Sequence, residues 1–161
     1  MEWISFLDTW IWLGFAATGF AILFNVPPRT LWLIFIMAAL GGTLKFIGLK
    51  LGVNIILSSF SGALLIGFLS VQASHFRHSP PFVFAIPAVI PMVPGAFTYR
   101  MMLGIIRLTG ENDHALFLQL LQETVDNGLR ALFVLSALSL GVSGPMLLSR
   151  KSSMKESKRK N

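Results

Sequence analysis

The chain has no cysteine among its 161 residues, which excludes disulfides, thiolate metal sites and cysteine nucleophiles. Charge is scarce as well: Asp, Glu, Lys and Arg make up 12% of residues, where a soluble domain carries about a quarter. Without that polar cover, most of the surface must face a solvent other than water. No nucleophile-plus-base pattern, Gly-rich phosphate loop or zinc motif occurs, so neither an enzyme nor a cofactor or metal centre is expected. His75 and His78 have an i, i+3 spacing but no acidic or cysteine partner nearby. Loop histidines, of the side-chain type that changes charge nearest neutral pH, are the simpler reading.

What is abundant is apolar length. Hydrophobic residues are 54% of the chain, and the mean hydropathy is +0.71. A hydrocarbon core of about 30 Å takes roughly 20 helical residues. Stretches of that kind run over 3–24, 30–49, 53–74, 81–98 (or on to 108) and 131–149. The expected fold is therefore an all-α integral membrane protein of about five transmembrane helices, forming one bundle over 1–149. The runs Leu31–Leu40 and Val53–Leu57 are continuously apolar, unlike the alternating strands of a membrane barrel. The first stretch has Glu2, no basic flank and too long an apolar run for a secretory signal, so it is expected to remain in the mature protein.

The net charge of +6 is concentrated at one end. Arg150, Lys151, Lys155, Lys158, Arg159 and Lys160 are six of the 13 basic residues, and 150–161 reads as a basic, disordered cytoplasmic tail. Such a tail suits anionic lipid headgroups rather than nucleic acid. With that tail inside, five spans leave Arg29, Arg77 and the tail inside, against Lys45, Lys50, Arg100, Arg107 and Arg130 outside. Eight against five places the N-terminus outside and the C-terminus in the cytoplasm. Asn25-Val26-Pro27-Pro28-Arg29 is the first turn. Before the fifth span, Leu116, Phe117, Leu120 and Leu121 form an apolar stripe against Gln119, Gln122 and Glu123, which predicts a short amphipathic helix. Small residues at four-residue spacing (Ser58/Gly62, Ala63/Gly67, Ser70/Ser74, Ala137/Gly141) predict close helix packing, within the subunit or against a second one.

The fourth stretch carries prolines at 87, 91 and 94 and then Gly95. Each proline removes a donor and crowds the carbonyl four residues back, so the helix should break there. Broken backbone at membrane depth is tolerated beside protein or a water-lined cavity, and transporters bind substrates at such breaks. The following half-helix would point the N–H groups of Gly95, Ala96 and Phe97 at an anion, with Arg100, Gly104 and Arg107 on one face and Tyr99 beside them. Guanidinium binds carboxylate through two parallel donors. Pro91, Pro94, Gly95, Ala96, Tyr99 and Arg100 are therefore the candidate substrate-binding residues. Either arginine can instead mark the outer interface. Asp8, Asn25, Arg107 and Asp126 are the candidates for coupling or gating. Asp8 also fits an interfacial position near the N-terminus, and Asp126 and Glu123 a solvated loop. Lys45 is expected to snorkel to the membrane surface.

Pro87-Ala88-Val89-Ile90-Pro91-Met92-Val93-Pro94-Gly95 followed by Tyr99-Arg100, Phe24-Asn25-Val26-Pro27-Pro28-Arg29, and Gly141-Val142-Ser143-Gly144-Pro145 together resemble the threonine/serine exporter family over essentially the whole chain. The family signature often has Gly where this chain has Ala88. The resemblance implies half of a ten-span exporter, similar to the small subunit. The partner would be a larger five-span subunit with a cytosolic N-terminal domain, and a higher oligomer is open. It also implies export of small carboxylates (threonine and serine, or a dicarboxylate such as succinate) across the bacterial inner membrane. The alternative is a non-transporting membrane scaffold or assembly subunit. A channel is a third reading.

Overall fold

A computed structural model describes residues 2–111 and 113–157, with side chains described for 10–111 and 113–149. Among the described residues six α-helices follow one another: α1 (Glu2–Leu23), α2 (Leu31–Lys50), α3 (Ile55–Arg77), α4 (Pro81–Val89), α5 (Gly95–Leu108) and α6 (His114–Ser157). Short 3-10 turns at Pro28–Thr30 and Ile90–Met92 lie between them. No strand occurs among the described residues. Pro28–Lys50, Ile55–Arg77 and His114–Ser149 are long and apolar enough to cross a membrane, and Pro81–Met92 with Gly95–Leu108 makes a fourth if the two pieces are one span. In α1, 22 residues long, the stretch Trp10–Leu23 is apolar.

Turn chemistry sets the helix ends. Asn25 (φ 58°) and Gly52 (φ 77°) adopt the left-handed conformation. After each, the next N–H reaches five residues back, Val26 to Ala21 O at 3.0 Å and Val53 to Gly48 O at 2.9 Å. This closes the orphan carbonyls of α1 and α2 as Schellman motifs. The Asn54 side chain accepts from Ile56 N at 3.1 Å and caps α3. At the start of α6, Asp113 Oδ1 accepts from Ala115 N at 2.9 Å.

The chain divides into two compact units, Met1–Met92 with Ala137–Asn161, and Val93–Ser136. In the first, α2 packs against α1, α3 and α4. Its interior is rich in small side chains, with Ala17, Ala21, Ala38, Ala39, Ser58, Ser59, Ala63, Ser70, Ala85 and Ala88 buried around Ile34, Ile66 and Phe84. Trp12, Phe15, Phe68 and Phe76 are exposed. That is the reverse of a water-soluble core and suits a lipid-facing bundle held by backbone approach. A Cβ on Gly62 would collide with the Gly41 carbonyl, and one on Gly67 would lie 2.8 Å from Val142 O. The expected Ser58/Gly62, Ala63/Gly67 and Ala137/Gly141 spacings thus form contacts inside the subunit. Pro145 sits within α6 without ending it. The carbonyl it deprives of a donor, Gly141 O, lies on the side of Gly67 where no Cβ stands.

The second unit is a helical hairpin of α5 and the first part of α6. A Cβ on Gly104 would collide with Thr124 Oγ1, and one on Gly128 would meet Met101 Sδ at 2.9 Å.

Two expectations change. The amphipathic helix and the fifth span are one continuous helix of 44 residues. Residues 126–130 had read as loop, but their polar groups are satisfied on a helix: Asn127 Nδ2 donates to Glu123 O at 2.7 Å, and Arg130 pairs with Asp126 one turn away at 3.0 Å. The helix also reaches Ser157, into the segment expected to be a disordered tail. Lys158, Arg159 and Lys160 lie outside the described residues.

Candidate functional site

In the Pro-rich segment, α4 ends at Val89, a 3-10 turn spans Ile90–Met92, and α5 begins at Gly95 with Pro94 as its N-cap. Pro87, Pro91 and Pro94 withhold the donors that the carbonyls of Val83, Pro87 and Ile90 would take in a continuous helix. Of the three N–H groups expected to face an anion, two are used locally: Gly95 N donates to Val93 O at 2.9 Å and Phe97 N to Pro94 O at 3.2 Å. Thr98 N and Thr98 Oγ1 also donate to Pro94 O, each at 3.3 Å. Ala96 N–H alone has no backbone acceptor outside helices among the described residues. The start of α5 is thus less open to an anion than the sequence suggested.

At the 3-10 turn the departure from expectation is larger. Lys45 does not snorkel. Its Nζ donates to Met92 O at 2.9 Å, its one hydrogen-bond partner among the described residues. Lys45, Pro91 and Met92 line a cavity of about 170 Å³ with Leu13, Gly42, Phe46 and Leu49. The signal was present in the sequence, since Lys45 is the one charge inside an otherwise apolar stretch. A long side chain with two directions open to it hid the outcome.

In the α5–α6 hairpin, Arg100, Gly104 and Arg107 do share a face, as their spacing predicted. They border a cavity of about 130 Å³ with Leu103 from the same helix and Leu120, Glu123, Thr124 and Asn127 from α6. The close approach at Gly104 and Thr124 brings the two helices together here. No ion pair joins Arg100, Arg107 and Glu123 among the described residues. Two guanidinium groups and one carboxylate therefore face a common space with their charges unpaired. Thr124 and Asn127 are not among the sequence candidates, and Glu123 enters there only on the polar face of an amphipathic helix or as a solvated position. The spacing of 123 and 127, one helical turn, was the available clue.

The remaining candidates are dispersed. Tyr99 is 64% exposed and lines neither cavity. Asn25 is accounted for by its left-handed turn at the end of α1. Asp126 is engaged with Arg130 on an exposed face. The Asp8 side chain lies outside the described residues. His75 Nδ1 lies 2.8 Å from Val71 O, one turn back on α3.

A charge-poor helical chain with spanning helices, small-residue packing and polar groups gathered at a helix interruption and in a helical hairpin is a multi-pass membrane protein. The chain belongs to the threonine/serine exporter family, since the family model described as "Threonine/Serine exporter, ThrE" matches residues 9–148. It is also similar to an uncharacterized protein of Haemophilus influenzae, 33% identical over 147 residues, which cover 90% of this chain and 48% of the relative. The chain spans about half the length of that curated relative. No solved structure matches it.

Proposed function

We propose that this chain is one subunit of a secondary transporter that exports small carboxylates, threonine and serine first among them, across the bacterial inner membrane. The observation that carries the proposal is the α5–α6 cavity. Arg100 and Arg107 supply planar donors for a carboxylate, and Glu123 supplies a counter-charge for an α-ammonium group. A dicarboxylate such as succinate would use the two arginines and find Glu123 repulsive, so the arrangement favours the zwitterion. The reading takes α1, α2, α3, the broken α4–α5 pair and α6 as five spans, N-terminus outside and C-terminus in the cytoplasm. The relative of twice the length supports a working unit of ten spans. Its other half would come from a larger five-span subunit with a cytosolic N-terminal domain.

The test is efflux of radiolabelled threonine, serine and succinate from cells with and without the gene, expressed with its co-purifying partner. Export of an amino acid that disappears in Arg100→Ala, with the complex still assembled, is the expected result. Wild-type efflux from that variant would remove the arginine from the site. No gene-dependent efflux of any of the three would favour the membrane scaffold instead.

A further inference from the structure

We propose that Lys45 forms a second carboxylate-binding site, at the helix interruption. The site deepens the transporter reading and rests on it for the identity of its ligand. Lys45 stands five residues before the end of α2, about 8 Å of helix, and its side chain turns toward the protein. An ammonium group carries three donors. One goes to Met92 O at 2.9 Å, leaving two for the cavity. Among the described residues, the other walls of that cavity, including Leu13, Phe46, Leu49 and Pro91, bring no acidic group. A cation in apolar surroundings is costly until a counter-charge or fixed dipoles compensate it. Met92 O at the end of the 3-10 turn supplies one dipole, and no carboxylate is among the cavity's walls within the described residues. The missing charge is that of the ligand.

Size and donor chemistry define the class. The cavity of about 170 Å³ has room for a small carboxylate. Binding there would also draw on the same ammonium that holds Met92 O, so the ligand and the 3-10 turn share one cation. The rival within the chain is Asp8, on the helix α1 that packs against α2.

The experiment uses the detergent-purified chain with its co-purifying partner and follows thermal unfolding with L-threonine, succinate or threoninol, which lacks the carboxylate. Threonine or succinate should raise the midpoint of the wild type by several degrees and threoninol should not. In the Arg100→Ala background, which disables the α5–α6 cavity, Lys45→Arg should keep at least half of the remaining shift, and Lys45→Met should lose it. Lys45→Gln, which keeps a donor for Met92 O but no charge, gives the same reading if the methionine variant does not accumulate. Equal shifts in that background with and without Lys45→Met or Lys45→Gln would overturn the site, as would no shift with either carboxylate. Restored export in the exchange Asp8→Lys with Lys45→Asp would overturn it too, by making Asp8 the partner. A carboxylate-dependent shift without any export in cells would defeat the transporter reading and leave the site standing. Export with wild-type half-saturation in Lys45→Met would defeat the site alone.

Discussion

The α2–α3 interface and the α5–α6 hairpin both depend on glycine, yet they use it for different ends. Between α2 and α3, Gly41 and Gly62 bring backbone against backbone, and the residues around them are Ala, Ser and Ile. Between α5 and α6, Gly104 makes room for a threonine hydroxyl, and charged side chains stand on either side. In lipid, close contact over small residues supplies packing energy that the hydrophobic effect does not. An interface of the first kind holds the bundle. One of the second kind spends the same closeness on bringing charges to a shared cavity.

The comparison breaks most visibly at Gly62. Gly62→Leu drives a side chain into the Gly41 carbonyl, which cannot step aside, so the cost should reach the upper end of the overpacking range, ~3 kcal/mol or more. The readout is loss of the folded chain from the membrane fraction or a collapsed unfolding midpoint. A variant that accumulates and unfolds like the wild type would mean the helices are not held there. In the hairpin, Arg100→Ala or Arg107→Ala removes one charge-assisted interaction worth about 1.5–3 kcal/mol. Threonine export should therefore fall roughly ten- to hundredfold at unchanged protein level.

Gly104→Ala tests whether closeness is what the hairpin needs. Its methyl meets Thr124 Oγ1, so it should cost about 1–3 kcal/mol and lower export. Adding Thr124→Ala should recover most of both, a coupling that additive effects would contradict. Asn25→Val puts a branched residue in a left-handed turn at about 1–2 kcal/mol, while Asn25→Gly should be neutral in unfolding midpoint. A gating role would show instead as lost export in the glycine variant. Smallest of all, Asp126→Asn gives up an exposed one-turn ion pair worth at most ~0.5 kcal/mol. It should leave unfolding and efflux unchanged, and a large loss of efflux would restore Asp126 to the site.

Much of the architecture could be read from the chain alone. The bounds of α1, α2 and α3 fall within three residues of the apolar stretches, because Asn25, Gly52 and the prolines at 27 and 28 are turn chemistry that acts locally. Between α4 and α5 the structure has a 3-10 turn at Ile90–Met92, in the segment where the prolines withhold their donors. Residues 126–130, between the predicted amphipathic helix and the fifth span, were not legible. Their polar side chains suit a loop and a helix equally well, and the choice rested on satisfying Asn127 and Arg130 one turn away.

The sequence by itself determined the all-helical, membrane-spanning class and the arginine spacing along α5, since composition and helical periodicity are properties of a single segment. Only the tertiary structure decided where the charges go. Lys45 had water and protein both within reach, and Glu123 had no visible partner. Packing α2 against the 3-10 turn and folding α6 back on α5 chose among these options, because a flexible side chain takes its direction from the surfaces that surround it.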